Sequence, residues 1–197
     1  MKNKKKYVGV LAVQGDVSEH VTALQEIGKK VLQITCKEDV EKISALIIPG
    51  GESSAISQII VRNGIHDAIA KRINEHSLPI LGTCAGCVLM ANKIATSLKD
   101  IKPFKAINME IARNDFGRQK ESFITSIQFK GFAKPLEAVF IRAPSIKKVW
   151  QDSEILAQVD DKIVAVRQHE FVALAFHPEL TPDRRIYNYF FDAILRE

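Results

Sequence analysis

The sequence predicts an α/β fold, a mostly parallel sheet with helices on both faces and an antiparallel extension. Three observations predict it. Short apolar runs alternate with helical periodicity through the first half of the chain. Those runs are continuous, as strands buried on both faces require. The second half turns strand-rich, with a tight turn signal at Asp160-Asp161.

The elements follow in order. Val8 to Val13 reads as a buried strand ending at Gln14-Gly15-Asp16. Ser18 is placed to cap a helix that runs to about Ile27 and stops at Gly28. Lys30 to Ile34 and Ala45 to Ile48 read as the next strands, the latter closed by Pro49-Gly50-Gly51. Helical spacing covers Ser54 to Val61 and Ile65 to Ile73. Pro79 to Leu81 is a short strand, and a helix runs from the following glycine-rich turn to about Ala91. Strands are then expected at Ile107 to Ala112, Ser122 to Ile127, Ala138 to Ile141, Glu154 to Val159, Lys162 to Val166 and Phe171 to Phe176. Pro182 is placed to start a last helix over Asp183 to Leu195.

Composition agrees with one domain over residues 1–197, its first six residues a flexible basic tail. The chain is 46% hydrophobic and 26% charged, an ordinary globular balance. Its net charge of +5 invites a nucleic-acid reading. Lys2, Lys4, Lys5 and Lys6 supply most of that charge, and no basic stripe interleaved with aromatics follows. Neither nucleic acid nor membrane is therefore expected as a partner. Apolar runs fall far short of the roughly 20 residues a spanning helix needs. Cys36, Cys84 and Cys87 make an odd count and no disulfide framework, which suits a reducing, cytoplasmic setting.

The sharpest local pattern is Gly82-Thr83-Cys84-Ala85-Gly86, a cysteine nucleophile elbow between strand and helix. Small neighbours permit the tight turn, and the start of the helix favours a thiolate on Cys84. His177-Pro178-Glu179 follows the last apolar strand. A cysteine nucleophile needs a base, and the base needs an orienting group; His177 and Glu179 fit those parts. Pro49-Gly50-Gly51-Glu52-Ser53 also ends a strand, and its backbone N–H groups suit an oxyanion hole. No metal-ligand spacing stands out among the histidines.

Together these three stretches resemble the class I, or triad, glutamine amidotransferases, a flavodoxin-like three-layer α/β/α fold. Gln14-Gly15 with Glu19-His20, the run from Arg113 to Gln119, Phe140 to Pro144, and Phe176 to Thr181 narrow the likeness. The set resembles the glutaminase subunits of pyridoxal 5′-phosphate synthase over nearly the whole chain. That resemblance implies hydrolysis of L-glutamine to glutamate and ammonia by Cys84, His177 and Glu179. It implies glutamine binding by Gly51, Glu52, Ser53, Arg113, Ile141 and Arg142, with Gln14 supporting the oxyanion site or its activation. It also implies a synthase subunit as partner in a large hetero-oligomer. Pyridoxal 5′-phosphate is then the product of the complex, and no cofactor is expected here. The chain departs from the family pattern at Ser54, Cys87 and Gln168-His169-Glu170, all outside the triad.

Two other readings stay open at this point. Cys84-Ala-Gly-Cys87 is also a C-x-x-C at the start of a helix, as in thiol-disulfide oxidoreductases. The same triad would also serve another amidotransferase, a reading that the stretches from Arg113 to Gln119 and from Phe140 to Pro144 argue against. Cys87 reads as a core residue, His66 and His76 as surface residues, and Tyr187, Tyr189 and Phe190 as packing.

Overall fold

The computed structural model describes residues 7–95, 100–113, 115 and 122–194. Its first half holds strands β1 (Tyr7–Leu11), β2 (Val31–Ile34), β3 (Ile43–Ile48) and β4 (Ile80–Thr83). Helices α1 (Val17–Glu26), α2 (Ser53–Arg62), α3 (Ile65–Asn74) and α4 (Ala85–Met90) lie between and after them. The second half holds β5 (Ala91–Ile94), β6 (Ile107–Ala112), β7 (Ser122–Ile127), β8 (Leu136–Ile141) and β9 (Ser145–Val149). It closes with β10 (Glu154–Val159), β11 (Lys162–Gln168), β12 (Phe171–Leu174) and helix α5 (Arg185–Ile194).

The main sheet runs in the order β2-β1-β3-β4-β12-β11-β9-β6-β5, with β10 paired to β11. Its first five strands are parallel neighbours. Taking β12 as the fifth parallel strand, their order is 2-1-3-4-5, the flavodoxin-like winding. From β12 onward the sheet turns antiparallel through β11, β9 and β6. Strands β7 and β8 form a separate hairpin. Both the parallel sheet and the antiparallel extension match the expectation.

Side chains of β3 show how the layers form. Ala45 and Ile47 pack with α1 and α5, against Leu24, Tyr187 and Phe190. Leu46 and Ile48 pack on the other face, against Ile56, Ile60, Ile65 and Ile69 of α2 and α3. All four strand residues are fully buried. Alternate residues of a strand point to opposite faces, so a strand covered on both must be apolar throughout.

Several local expectations are corrected. Helix α1 starts at Val17, and Ser18 does not cap it; Asp16 holds the N-cap position without a side-chain cap bond. Helix α5 starts at Arg185, where the Asp183 carboxylate accepts the Arg185 N–H at 2.9 Å. Strands β5 and β9 were not expected. Their sequences, ANKI and SIKKV, carry polar residues and lack a continuous apolar run. His66 is buried, 4% exposed, and stacks on Phe104 at 4.8 Å between ring centroids. His76 is exposed, as expected.

Candidate active site

Four parallel strands deliver the site residues at their carboxyl ends, where open α/β sheets place their clefts. Gln14 and Asp16 follow β1, Gly50 to Ser53 follow β3, Cys84 follows β4, and His177 and Glu179 follow β12. Residues 141 and 142 come from the end of β8, and Arg113 from the end of β6. All of these except Gly50 and Glu179, together with Ala85, Val88 and Pro144, surround a cavity of about 340 Å³. That is a small-molecule volume.

Cys84 sits at φ 47° and ψ −100°, a backbone conformation that L residues rarely adopt. Strain of this kind is typically worth about 1–3 kcal/mol and persists where the surroundings impose it. Here they do. The Cys84 N–H donates to the Leu174 carbonyl of β12 at 2.8 Å, fixing the turn from below. Gly86 must be glycine, because a Cβ there would lie 2.1 Å from the Ile48 carbonyl oxygen. Helix α4 thus lies directly on β3. The Ala85 N–H opens that helix and has no intrahelical acceptor by position. Cys84 Sγ points toward the Ile141 carbonyl at 3.9 Å.

His177 and Glu179 are both buried. His177 Nδ1 lies 2.7 Å from Glu179 Oε1 and 3.4 Å from Asp16 Oδ2. With its Nδ1 turned to carboxylates, the ring presents Nε2 to the nucleophile side. Nε2 is buried and makes no hydrogen bond within the described residues. Burial opposes charge on the imidazole. The neighbouring Asp16 carboxylate, Cys84 sulfur and Glu179 carboxylate outweigh it and hold the His177 pKa well above its ordinary value. In return, the His177 hydrogen bond holds the Asp16 carboxyl below its usual range. The site therefore favours an imidazolium beside the thiol.

The loop after β3 comes close to the imidazole. A Cβ on Gly50 would lie 2.5 Å from His177 Cε1, so only glycine fits there. Glu52 caps α2, its carboxylate accepting from Ser54 N at 3.2 Å and Ala55 N at 2.7 Å. Arg113 reaches across the cavity to Glu52 Oε1 at 2.8 Å and to Ser54 Oγ at 3.3 Å. Burial pushes the Glu52 carboxyl up, but those N–H donors and the Arg113 charge hold it below its ordinary value. The Glu52 N–H donates to Gln14 Oε1 at 2.8 Å. One cavity thus gathers a strained cysteine, a carboxylate-backed histidine, a glycine loop and an arginine. That set is suited to acyl transfer from an amide that carries a carboxylate elsewhere.

The model of the SNO glutamine amidotransferase family matches residues 10–196. This chain belongs to that family. A pyridoxal 5′-phosphate synthase subunit PdxT of Mycolicibacterium smegmatis is 44% identical over 191 residues, covering 95% of this chain and 98% of the relative. Its counterpart in Rhodococcus opacus is 43% identical over 195 residues, covering 95% and 96%. Among solved structures, a glutamine amidotransferase superposes with a TM-score of 0.89 at 40% identity, covering 94% of this chain and 97% of that one.

In this SNO-family chain every expected site residue except Glu179 lines the cavity, and Glu179 lies behind His177. Of the run from Arg113 to Gln119, only Arg113 and Asp115 fall among the described residues; the first six residues also lie outside them. Asp115 does not reach the cavity. It pairs with Lys147 and Lys162 at 2.6 and 2.9 Å. Three contributors were missed from the sequence: Asp16 as a second carboxylate on His177, and His20 and Tyr187 behind Glu179. Only the position of Asp16, just past the end of β1, signalled it.

The oxidoreductase reading loses its geometric basis. Cys87, on α4, is fully buried in the core, and burial pushes its thiol well up. Both cysteines of the C-x-x-C are free thiols. Asp16, His177 and Glu179 bring ligand-type atoms within 4.8 Å of one another. His177 Nδ1 and Glu179 Oε1 are already spent on each other, which makes the cluster a hydrogen-bonded pair with a flanking carboxylate.

Proposed function

We propose that Cys84, His177 and Glu179 are the working triad of this chain, the glutaminase subunit of a pyridoxal 5′-phosphate synthase. The observation that carries the triad is the carboxylate-backed His177 with an unpartnered Nε2, on the same cavity as the strained elbow at Cys84.

Cys84 passes its thiol proton to His177, and its Sγ, as thiolate, attacks the side-chain amide carbon of L-glutamine. The carbon–nitrogen bond breaks as His177 gives its proton to the leaving nitrogen, and ammonia departs. A glutamyl thioester remains on Cys84. Water, deprotonated by His177, then cleaves the thioester to glutamate and restores the thiol. Glu179 keeps the imidazole in the tautomer and orientation both steps need. The backbone N–H of Ala85 and those of the Gly51-Glu52-Ser53 loop supply the oxyanion donors, the Glu52 N–H once it leaves Gln14 Oε1. Arg113 and the 141–142 backbone hold the glutamine head group. No step calls for a cofactor.

Ammonia set free in neutral water is mostly protonated and no longer nucleophilic. Delivery to a docked synthase subunit through a protected path avoids that loss. A hetero-oligomer with that subunit, in the reducing cytoplasm that three free thiols suit, is part of the same reading.

Labelling tests it. An alkylating glutamine analogue should modify Cys84 and spare Cys36 and Cys87, as mapped by peptide mass spectrometry, and excess glutamine should protect. Labelling confined to another cysteine would contradict the assignment.

A further inference from the structure

Behind the triad lies a buried imidazole with no part in the mechanism above. His20, on α1, is fully buried. Its Nε2 stands 3.4 Å from Glu179 Oε2 and 3.1 Å from Thr83 Oγ1. Its Nδ1 stands 2.8 Å from the Tyr187 hydroxyl of α5. Glu179 Oε2 is buried and makes no hydrogen bond among the described residues, and His20 Nε2 stands near enough to serve it. We propose that His20 is a positioning residue of the triad: its Nε2–H holds the second oxygen of Glu179, and Tyr187 fixes the tautomer that makes this possible. The inference rests on the triad reading and deepens it.

The tautomer follows from the neighbours. The charged and titratable groups acting on His20 are Glu179, His177, Asp16 and Glu19, with Tyr187 at Nδ1. Burial is the largest influence and holds the imidazole below its ordinary pKa despite Glu179, so it is neutral and carries one ring proton. Burial also pushes the Tyr187 phenol well up, so it remains a donor. If Tyr187 donates to Nδ1, the ring proton must sit on Nε2, facing the carboxylate. In the other tautomer a lone pair would face a buried anion at that short range, which is repulsive. The Nε2–H is shared with Thr83 Oγ1, the residue next to Cys84. One imidazole therefore ties the strand that presents the nucleophile to the carboxylate that orients the base.

A buried carboxylate fixed at one oxygen can still rotate. Fixed at both, it keeps Oε1 against His177 Nδ1. Losing the second donor also leaves a buried charge short of a partner. His20 does not line the glutamine cavity. Its loss should therefore act on kcat and leave KM alone.

The experiment uses the full chain with its synthase subunit. It compares His20→Leu, His20→Gln and Tyr187→Phe with the parent and with Cys84→Ala. His20→Leu should lower kcat about tenfold with KM nearly unchanged, the scale on which outer partners of a site act. Its kcat/KM profile against pH should differ from the parent's, because a buried charge has lost a donor. The downfield proton signal of His177 Nδ1–H should shift or broaden. His20→Gln keeps an N–H donor and should restore most of kcat and the signal. Tyr187→Phe removes one oxygen and should lower kcat about threefold, the low end of a hydrogen bond's worth. Should His20→Leu not fold, Tyr187→Phe and His20→Gln decide by the same signal and profile. An inactive Cys84→Ala beside folded variants with the parent's kcat, profile and signal overturns the role of His20 and keeps the triad. A Cys84→Ala as active as the parent overturns both.

Discussion

Gln14 Oε1 accepts the Glu52 backbone N–H at 2.8 Å, so a donor of the loop beside Cys84 is already taken. An oxyanion developing on glutamine needs such donors turned toward it. The contact joins the end of β1 to the end of β3, two segments that a docking subunit could shift together. Gln14→Ala should therefore lower the ratio of partner-stimulated to unassisted glutaminase turnover by up to about a hundredfold, the scale of one oriented donor. Glutamate release with and without the synthase subunit measures it. An unchanged ratio removes Gln14 from activation.

Asp16 makes a pH-dependent prediction. Its carboxyl is held below the ordinary value of 3.8, chiefly by the hydrogen bond to His177. A depressed folded value means stability that is fully present above pH 3.8 and lost as pH falls through the folded value. His177 stays charged across the neutral range because its own pKa is raised. Asp16→Asn should thus melt at lower temperature than the parent at pH 7, with the difference closing in acid. Thermal melts from pH 7 downward test this; a difference independent of pH contradicts it.

Arg113 separates binding from chemistry. Its guanidinium is pinned by Glu52 and Ser54 at the cavity wall, away from Cys84 in the chain and in role. Arg113→Ala should raise KM for glutamine by about tenfold or more, the worth of a charge-assisted hydrogen bond, with a smaller change in kcat. Arg113→Lys should recover part of it. Steady-state kinetics at saturating synthase subunit measure both, and an unchanged KM in Arg113→Ala takes Arg113 out of glutamine binding.

Gly86 is a packing prediction. With the built Cβ only 2.1 Å from a backbone oxygen of β3, α4 must lift or β3 must move. Gly86→Ala should cost about 3 kcal/mol or more, in the range of overpacked cores. Urea unfolding measures it. A cost below about 1 kcal/mol would show that the elbow tolerates what its geometry forbids.

Much of this was legible in the sequence, for local reasons. Cys84 sits in a five-residue elbow, and His177 and Glu179 lie two apart after an apolar strand, so spacing alone brings each piece into view. The parallel core was legible because Ala45 to Ile48 and Phe171 to Leu174 are apolar on both faces. What failed was set by tertiary contact. Strand β9 pairs β6 on one side and β11 on the other, yet its sequence includes two exposed lysines. His66 is polar on a helix but is covered by Phe104. Tyr187 reads as packing, and so it packs, but its hydroxyl meets a histidine 167 positions earlier. No window of sequence spans that distance. Only the juxtaposition of α1 and α5 under the end of β12 reveals it.

The most direct test of the central claim is glutamate release from L-glutamine by the purified chain, alone and with a pyridoxal 5′-phosphate synthase subunit, beside Cys84→Ala. Strong stimulation by the partner, lost in Cys84→Ala, is the expected result. Glutamate release by Cys84→Ala at the parent's rate would contradict it.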